Sequence, residues 1–277
     1  MQDSMFHVRP DVTFSLLQFG CGNMGGAMLA GWLAAGFDPA AFTVVDPLLA
    51  DAPAGVRLLR EAPADAAPAD VVVLGFKPQQ FRASAAAIAP HVGEGTLLLS
   101  ILAGVDIATL RAAFPHAAAI VRVMPNLAAA IGKSPIALYG AAEGAFRERT
   151  EALMAPLGPA EWLAGEDAMD IVTALAGSGP AFVYRFIDAL GEAAATLGLP
   201  RHQADRLALA MVEGAAALAA SASAAPGELA RRVASPGGTT EAGLKVLDAD
   251  QRLAALITYT LRAARDRSEE LTAAARR

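Results

Sequence analysis

Short apolar runs alternate with alanine-rich stretches through the first half of the chain. The runs at residues 14–19, 42–45, 71–75, 96–101 and 119–124 are apolar at successive positions rather than at alternate ones. That is the pattern of strands covered by helices on both faces. Strand followed by helix, repeated, predicts a parallel, doubly wound sheet. Residues 136–139 add a further strand candidate, and residues 159–166 form the last segment before the pattern changes. From residue 168 onward strand signals end. The remainder of the chain reads as helices punctuated by Gly177-Ser178-Gly179-Pro180, Leu199-Pro200, Pro226-Gly227 and Ser235-Pro236-Gly237-Gly238.

The first strand runs directly into Gly20-Cys21-Gly22-Asn23-Met24-Gly25 and then into a helix through Ala27, Met28, Leu29 and Trp32. This is G-x-G-x-x-G between strand and helix, the setting in which it binds a dinucleotide. The first glycine permits the tight turn, the second lets a pyrophosphate approach the backbone, and the third lets helix pack on strand. The phosphates then meet the positive end of the helix. Asp46 ends the second strand, where a carboxylate accepts from the adenosine ribose hydroxyls and favours NAD. Asp46-Pro47 is also a common turn starter, and Arg57 and Arg60 keep NADP open. Gly75-Phe76-Lys77-Pro78, residues 100–104 with Ala103 and Gly104, and Met124-Pro125-Asn126 all follow carboxyl ends of strands, where such folds bind ligands.

The organisation predicted is an α/β Rossmann-type doubly wound parallel sheet over residues 1–164 and an all-α domain over residues 165–277. In the second, Ser235-Pro236-Gly237-Gly238-Thr239-Thr240 separates two helices and gathers backbone N–H groups and hydroxyls at a helix start. It reads as an anion site with an attached donor. The alternative is a plain N-cap at Thr239 or Thr240.

Composition narrows the partners. A net charge of −6 and a pI near 5.3 give no basic surface for nucleic acid. The mean hydropathy of +0.40 comes largely from alanine, and the best apolar stretch, 171–184, is broken by Gly-Ser-Gly-Pro, so no membrane span is expected. Residues 1–13 carry Asp3, Arg9 and Asp11 without an apolar core, unlike a cleaved leader. One cysteine, Cys21, excludes an intrachain disulfide and any multi-cysteine metal site. The expectation is a cytoplasmic protein with no metal. His7, His91, His116 and His202 are scattered outside the motifs and read as structural or surface residues.

Taken together the motifs resemble those of the pyrroline-5-carboxylate reductases over residues 20–271. They are Gly-Cys-Gly-Asn-Met-Gly at 20–25, Phe-Lys-Pro at 76–78, Met-Pro-Asn at 124–126, Ala-Leu-Ala-Gly-Ser-Gly-Pro-Ala at 174–181, and Ser-Pro-Gly-Gly-Thr-Thr at 235–240 followed by Ala242-Gly243-Leu244. Arg267-Ser268 and Glu270-Leu271 complete the set. The resemblance implies reduction of a cyclic imine to proline by NADPH or NADH, and a homodimer through the C-terminal helices, often assembled into larger rings. It implies that Thr240 hydrogen-bonds the substrate ring nitrogen, while Ser235, Gly237, Gly238 and Thr239 receive its carboxylate. Gly20, Gly22, Asn23, Met24, Gly25, Asp46, Phe76, Lys77, Pro78, Ala103, Gly104 and Asn126 then border the cofactor.

Two stretches depart from the family pattern. Leu127-Ala128-Ala129 stands where the family usually has Thr-Pro-Ala, and Asp46-Pro47 where many NADP-preferring members have Ser or Asn followed by Arg. Two rival functions make different demands on the sequence. A beta-hydroxyacid dehydrogenase needs a catalytic lysine early in its second domain, and residues 165–200 contain none. A non-catalytic NAD(P)-sensing dimer has no need of a paired anion site such as 235–240. Dimerisation is also expected on physical grounds: between Leu207 and Gly227 the only charged residue is Glu213, so that helix lacks a polar face and calls for cover.

Overall fold

The structure, a computed structural model, describes residues 14–63, 65 and 67–276. His7 and the leader reading fall on residues 1–13, outside the described residues. The chain divides into two compact units, Met1–Gly177 with Ala264–Arg277, and Ser178–Ala263.

The first unit is built on an eight-stranded sheet: β1 (Leu16–Phe19), β2 (Phe42–Val45), β3 (Arg57–Leu59), β4 (Val71–Leu74), β5 (Leu97–Ser100), β6 (Ala119–Met124), β7 (Ile136–Gly140) and β8 (Ala160–Trp162). Their order is β3-β2-β1-β4-β5-β6-β7-β8. All neighbours are parallel except β6 and β7, so the sheet is mostly parallel, with one reversal. β3 and β8 are the edge strands. Each has three residues, none of them fully buried; neither carries a long apolar run, which is why the hydrophobic pattern does not reveal them.

The helices of this unit are α1 (Asn23–Ala34), α2 (Phe81–Ile88), α3 (Ile107–Ala113), α4 (Gly144–Met154) and α5 (Ala168–Val172). Strand side chains alternate between the two faces, and the buried residues divide accordingly. Leu16, Val44, Val71, Val73 and Leu99 pack with Met28 and Trp32 of α1 and with Leu153 of α4. Leu17, Phe19, Val72, Leu74 and Leu98 pack with Phe81 of α2 and Leu110 of α3. Two covered faces, each apolar, account for the continuous apolar strands. The indole N–H of Trp32 donates to the carbonyl of Leu153 at 2.6 Å and so ties α1 to α4.

The second unit contains α6 (Gly179–Thr196), α7 (Arg201–Ser221), α8 (Pro226–Val233), α9 (Thr239–Asp248) and the first half of α10 (Arg252–Arg276), whose end belongs with the sheet unit. Arg201 at the start of α7 bridges Asp205 and Asp188 of α6 at 2.7 and 2.9 Å. Within Ser178–Ala263 only Gly191, Ala204 and Ala208 are buried. Leu207, Leu209, Met211 and Leu218 of α7 are all more than half exposed. A helical unit with so small a core of its own exposes apolar surface that a partner must cover. Among the described residues no single helix is long and apolar enough to cross a membrane.

Candidate functional site

The carboxyl ends of β1, β2 and β4 open on a cavity of about 1000 Å³. Gly20, Gly22, Asn23, Met24, Asp46, Phe76, Lys77 and Pro78 all line it, so the structure gathers eight of the twelve residues singled out for the cofactor into one cavity of the sheet unit. Gly22 is the N-cap of α1, and a Cβ built on it meets nothing within 4 Å. No side chain caps α1 and no acidic residue stands in its first turn. The N–H groups of that turn have no intrahelical partner, so a phosphate can approach them without competing with a carboxylate.

Asp46 has two local duties here. Its Oδ2 accepts from the N–H of Cys21 at 2.8 Å, while Oδ1 accepts from Leu48 and Leu49 at 2.8 and 3.1 Å. Burial opposes ionisation of Asp46, but these three backbone donors and the nearby Arg60 outweigh it and hold the carboxyl below the usual carboxylate range. The guanidinium of Arg60 donates to the carbonyls of Asp46 at 3.3 Å, of Ala50 at 3.1 Å and of Leu49. It is thus engaged in holding the 46–50 turn. Glu61 lines the cavity, whereas Arg57 and Arg60 do not. Cys21 is buried, and burial together with the charge of Asp46 pushes its thiol up, against a hydrogen bond with Gln18. The protonated thiol is no nucleophile.

The other four cofactor candidates lie elsewhere in the same unit or behind the loop. Gly25 sits behind it, its α-carbon facing the side chain of Gln18. Gly104, with φ of +77°, lets the loop after β5 rest on the backbone of α10, where an added Cβ would lie 3.0 Å from the α-carbon of Thr272. Ala103 precedes it and is half-buried. Asn126 is buried and fully engaged. Its Oδ1 accepts from Ala128 at 2.9 Å, its Nδ2 donates to the carbonyl of Ala176 at 3.0 Å, and its backbone N–H donates to Ser134 Oγ at 2.8 Å.

Two contact sets tie distant segments of this unit together, and the pairings are not visible in the sequence, although Ser268 itself falls in a family motif. Arg122, buried in β6, pairs with Glu166 at 2.8 Å, and the same carboxylate oxygen accepts from Ile107 at the start of α3. Ser268 Oγ donates to Asp170 of α5 at 2.6 Å, with Thr272 Oγ1 at 3.3 Å. The Ala176 carbonyl belongs to a π-helical turn, Thr173–Gly177, that overlaps the start of the 174–181 motif. Such turns often mark functional segments.

In the helical unit, residues 235–240 form an exposed loop entering α9. Gly237 has φ of +71°, and Gly238 donates to the Ser235 carbonyl at 2.9 Å. Gly238 is the N-cap, and no side chain caps the helix. Thr239 and Thr240 therefore occupy the first two helical positions, and neither caps it. The N–H of Gly237 donates to Glu241 Oε2 at 2.7 Å, and Lys245 pairs with Glu241 at 3.2 Å. A carboxylate of the chain itself thus sits on one N–H of this loop.

The remaining histidines lie apart from both loops. His116 and His202 are exposed. His91 is buried beside Phe19, its Nδ1 has no partner, and burial pulls its pKa down.

Comparison with known proteins supplies a family context. Residues 166–271 match a family model described as pyrroline-5-carboxylate reductase dimerisation, and residues 16–104 match one described as NADP oxidoreductase, coenzyme F420-dependent. The chain is similar to the pyrroline-5-carboxylate reductase of Pseudomonas aeruginosa, at 38% identity over 262 residues covering 91% of this chain and 94% of the relative. It is also similar to the solved structure of a pyrroline-5-carboxylate reductase from Coxiella burnetii, with a TM-score of 0.86, 31% identity, and coverage of 94% and 99% of the two chains. A Plasmodium falciparum pyrroline carboxylate reductase solved with NADP bound shares the fold, with a TM-score of 0.79, 24% identity, and coverage of 94% and 98%.

Proposed function

The chain belongs to the pyrroline-5-carboxylate reductases, and from that premise we infer that it reduces the C=N bond of 1-pyrroline-5-carboxylate to give proline. The observation that carries this reading is the pairing, in one chain with a full-length relative at 38% identity, of a glycine-loop cavity and an exposed Ser-Pro-Gly-Gly-Thr-Thr helix entry.

A nicotinamide dinucleotide fits what the sheet unit offers: open space over Gly22, an uncapped α1 and a cavity of about 1000 Å³. When bound, it supplies the hydride for the imine carbon. Gly22, Asn23 and Met24 would hold its diphosphate through backbone N–H groups, with Phe76, Lys77 and Pro78 along the wall and Ala103, Gly104 and Asn126 bordering it farther along. Asp46 and Glu61 place negative charge where a ribose phosphate would come, while Arg60 is engaged elsewhere. We therefore expect NADH to be a competent donor alongside NADPH.

At the helical unit, Thr240 is free of capping and would hydrogen-bond the ring nitrogen. Ser235 and the N–H of Thr239 would receive the substrate carboxylate, with the N–H groups of Gly237 and Gly238 joining them when Glu241 and the Ser235 carbonyl give way. The protein needs no covalent step: aligning a protonated imine with its reductant accounts for catalysis of this kind. The dimerisation match and the bare apolar surface of α7 support a homodimer, on which larger rings of dimers would build. The lone buried thiol suits the cytoplasm.

The test is direct. Purified protein with either reduced nicotinamide should oxidise it steadily once pyrroline-5-carboxylate is added, with proline accumulating in equal amount. Absence of turnover with both donors would refute the reading.

A further inference from the structure

Gln18 is an amide where the pattern calls for an apolar side chain. It lies in β1 between Val44 of β2 and Val73 of β4 and is 1% exposed. Burying an amide is costly unless it is hydrogen-bonded. Its Nε2 donates to the carbonyl oxygen of Gly20 at 3.0 Å, the same amide hydrogen-bonds the Cys21 side chain, and its Oε1 is buried without a partner. A carbonyl oxygen only accepts, so the nitrogen end of the amide must be the one that faces it.

That oxygen is closed in from other sides as well. A Cβ on Gly25 would lie 2.8 Å from it and 2.7 Å from Gln18 Nε2, and a Cβ on Gly75 would lie 2.7 Å from it. The third glycine of the loop thus leaves room for the Gln18 amide as well as for close helix packing. In a trans peptide the C=O and the following N–H point in opposite directions. The N–H across from the Gly20 carbonyl is that of Cys21, and it donates to Asp46 Oδ2 at 2.8 Å. One peptide unit is held at both ends, by Gln18 from beneath the loop and by Asp46 from the end of β2.

We propose that Gln18 and Asp46 clamp the Gly20–Cys21 peptide so that the phosphate-facing N–H groups beyond it are set before the cofactor arrives, which makes Gln18 a positioning residue for cofactor binding. The proposal rests on reading the cavity as a nicotinamide-dinucleotide site. Its logic is preorganisation: a loop already in its bound conformation loses less freedom on binding. The unpartnered Oε1 is a standing cost that an apolar residue would avoid, which points to the donor as the reason for an amide here.

Gln18→Met keeps the length of the side chain and removes the donor. Titrating the variant with NADH and with NADPH should show Kd raised about three- to tenfold for both, as expected when the loop loses the hydrogen bonding of the Gln18 amide. At saturating cofactor, kcat and the KM for the imine should stay within about twofold, a split that general loosening of the core would not produce. Unchanged Kd values in the folded variant, with the wild-type protein binding both cofactors, would overturn the clamp alone. Wild-type protein that binds neither would overturn the function and the clamp with it. Crystal structures of the wild-type protein with and without cofactor test the proposal even if the variant does not fold: the Gly20–Cys21 peptide should keep one orientation, and a rotated peptide in either state would overturn it.

Discussion

Replacing Thr240 by Val separates two roles that the sequence leaves open. The substitution keeps the branched shape and removes the hydroxyl. In the structure Gly238 is the N-cap of α9, no side chain caps the helix, and Thr240 is exposed at the second helical position. Removing its hydroxyl therefore breaks no cap. Valine and threonine have similar helix propensities, so the stability change should stay within about 0.5 kcal/mol. Loss of a cap would instead cost about 1 kcal/mol. A hydroxyl that hydrogen-bonds a charged ring nitrogen contributes about 1.5–3 kcal/mol, which converts to a fall of roughly ten- to a hundredfold in kcat/KM for the imine. The assay is steady-state turnover of pyrroline-5-carboxylate at saturating cofactor, with cofactor Kd and thermal unfolding measured on the same samples. Unchanged kcat/KM in a folded variant would refute the substrate role, and a stability loss near 1 kcal/mol would restore the capping role.

Four further outcomes are expected from the same geometry. Asp46→Ser should shift the ratio of kcat/KM for NADPH over NADH upward and lower Tm, since three backbone N–H bonds to a carboxylate are lost; an unchanged ratio would leave Asp46 with its loop contacts alone. Because the Asp46 carboxyl is held below its usual range when folded, its contribution is full at neutral pH and is lost as pH falls below about 4, so the stability gap between wild type and Asp46→Asn should narrow in acid. His91 is buried and its pKa is lowered by burial, so the unfolded chain takes up its proton first and stability should fall as pH drops below about 6.5; His91→Phe should flatten that limb of a Tm–pH curve. Leu209→Asp on exposed α7 should convert the dimer to an unstable, inactive monomer by light scattering across a dilution series, and an active monomer would count against an obligate dimer.

Much of this was legible in the chain. Buried parallel strands announce themselves as continuous apolar runs, so β1, β2, β4, β5 and β6 stand out. The glycine loop and residues 235–240 stand out because few residue types fit their backbones. Edge strands β3 and β8 have three residues each, of which only Leu58, Leu59 and Trp162 pack against the core, too short a run to leave a pattern. Gln18 could be found only as a breach of one, a polar residue in an otherwise apolar run, and its purpose depends on where the Gly20 carbonyl points. Asp46 reads as either a ribose ligand or a turn residue from sequence. In the structure its carboxylate makes the turn and also reaches Cys21, a contact across 25 residues that no local pattern encodes. The return of the α10 end to the sheet unit is likewise invisible until Ser268 meets Asp170. Glu241 looks like an ordinary charge in a helical first turn until its carboxylate is seen on the Gly237 N–H.

The central claim is that this chain delivers hydride to the imine carbon of pyrroline-5-carboxylate, and label transfer tests it most directly. With the reduced nicotinamide deuterated at the transferring position, turnover in ordinary water should give proline carrying one deuterium on the ring carbon next to nitrogen and away from the carboxylate. Unlabelled proline, deuterium at any other carbon, or no proline at all would contradict the account.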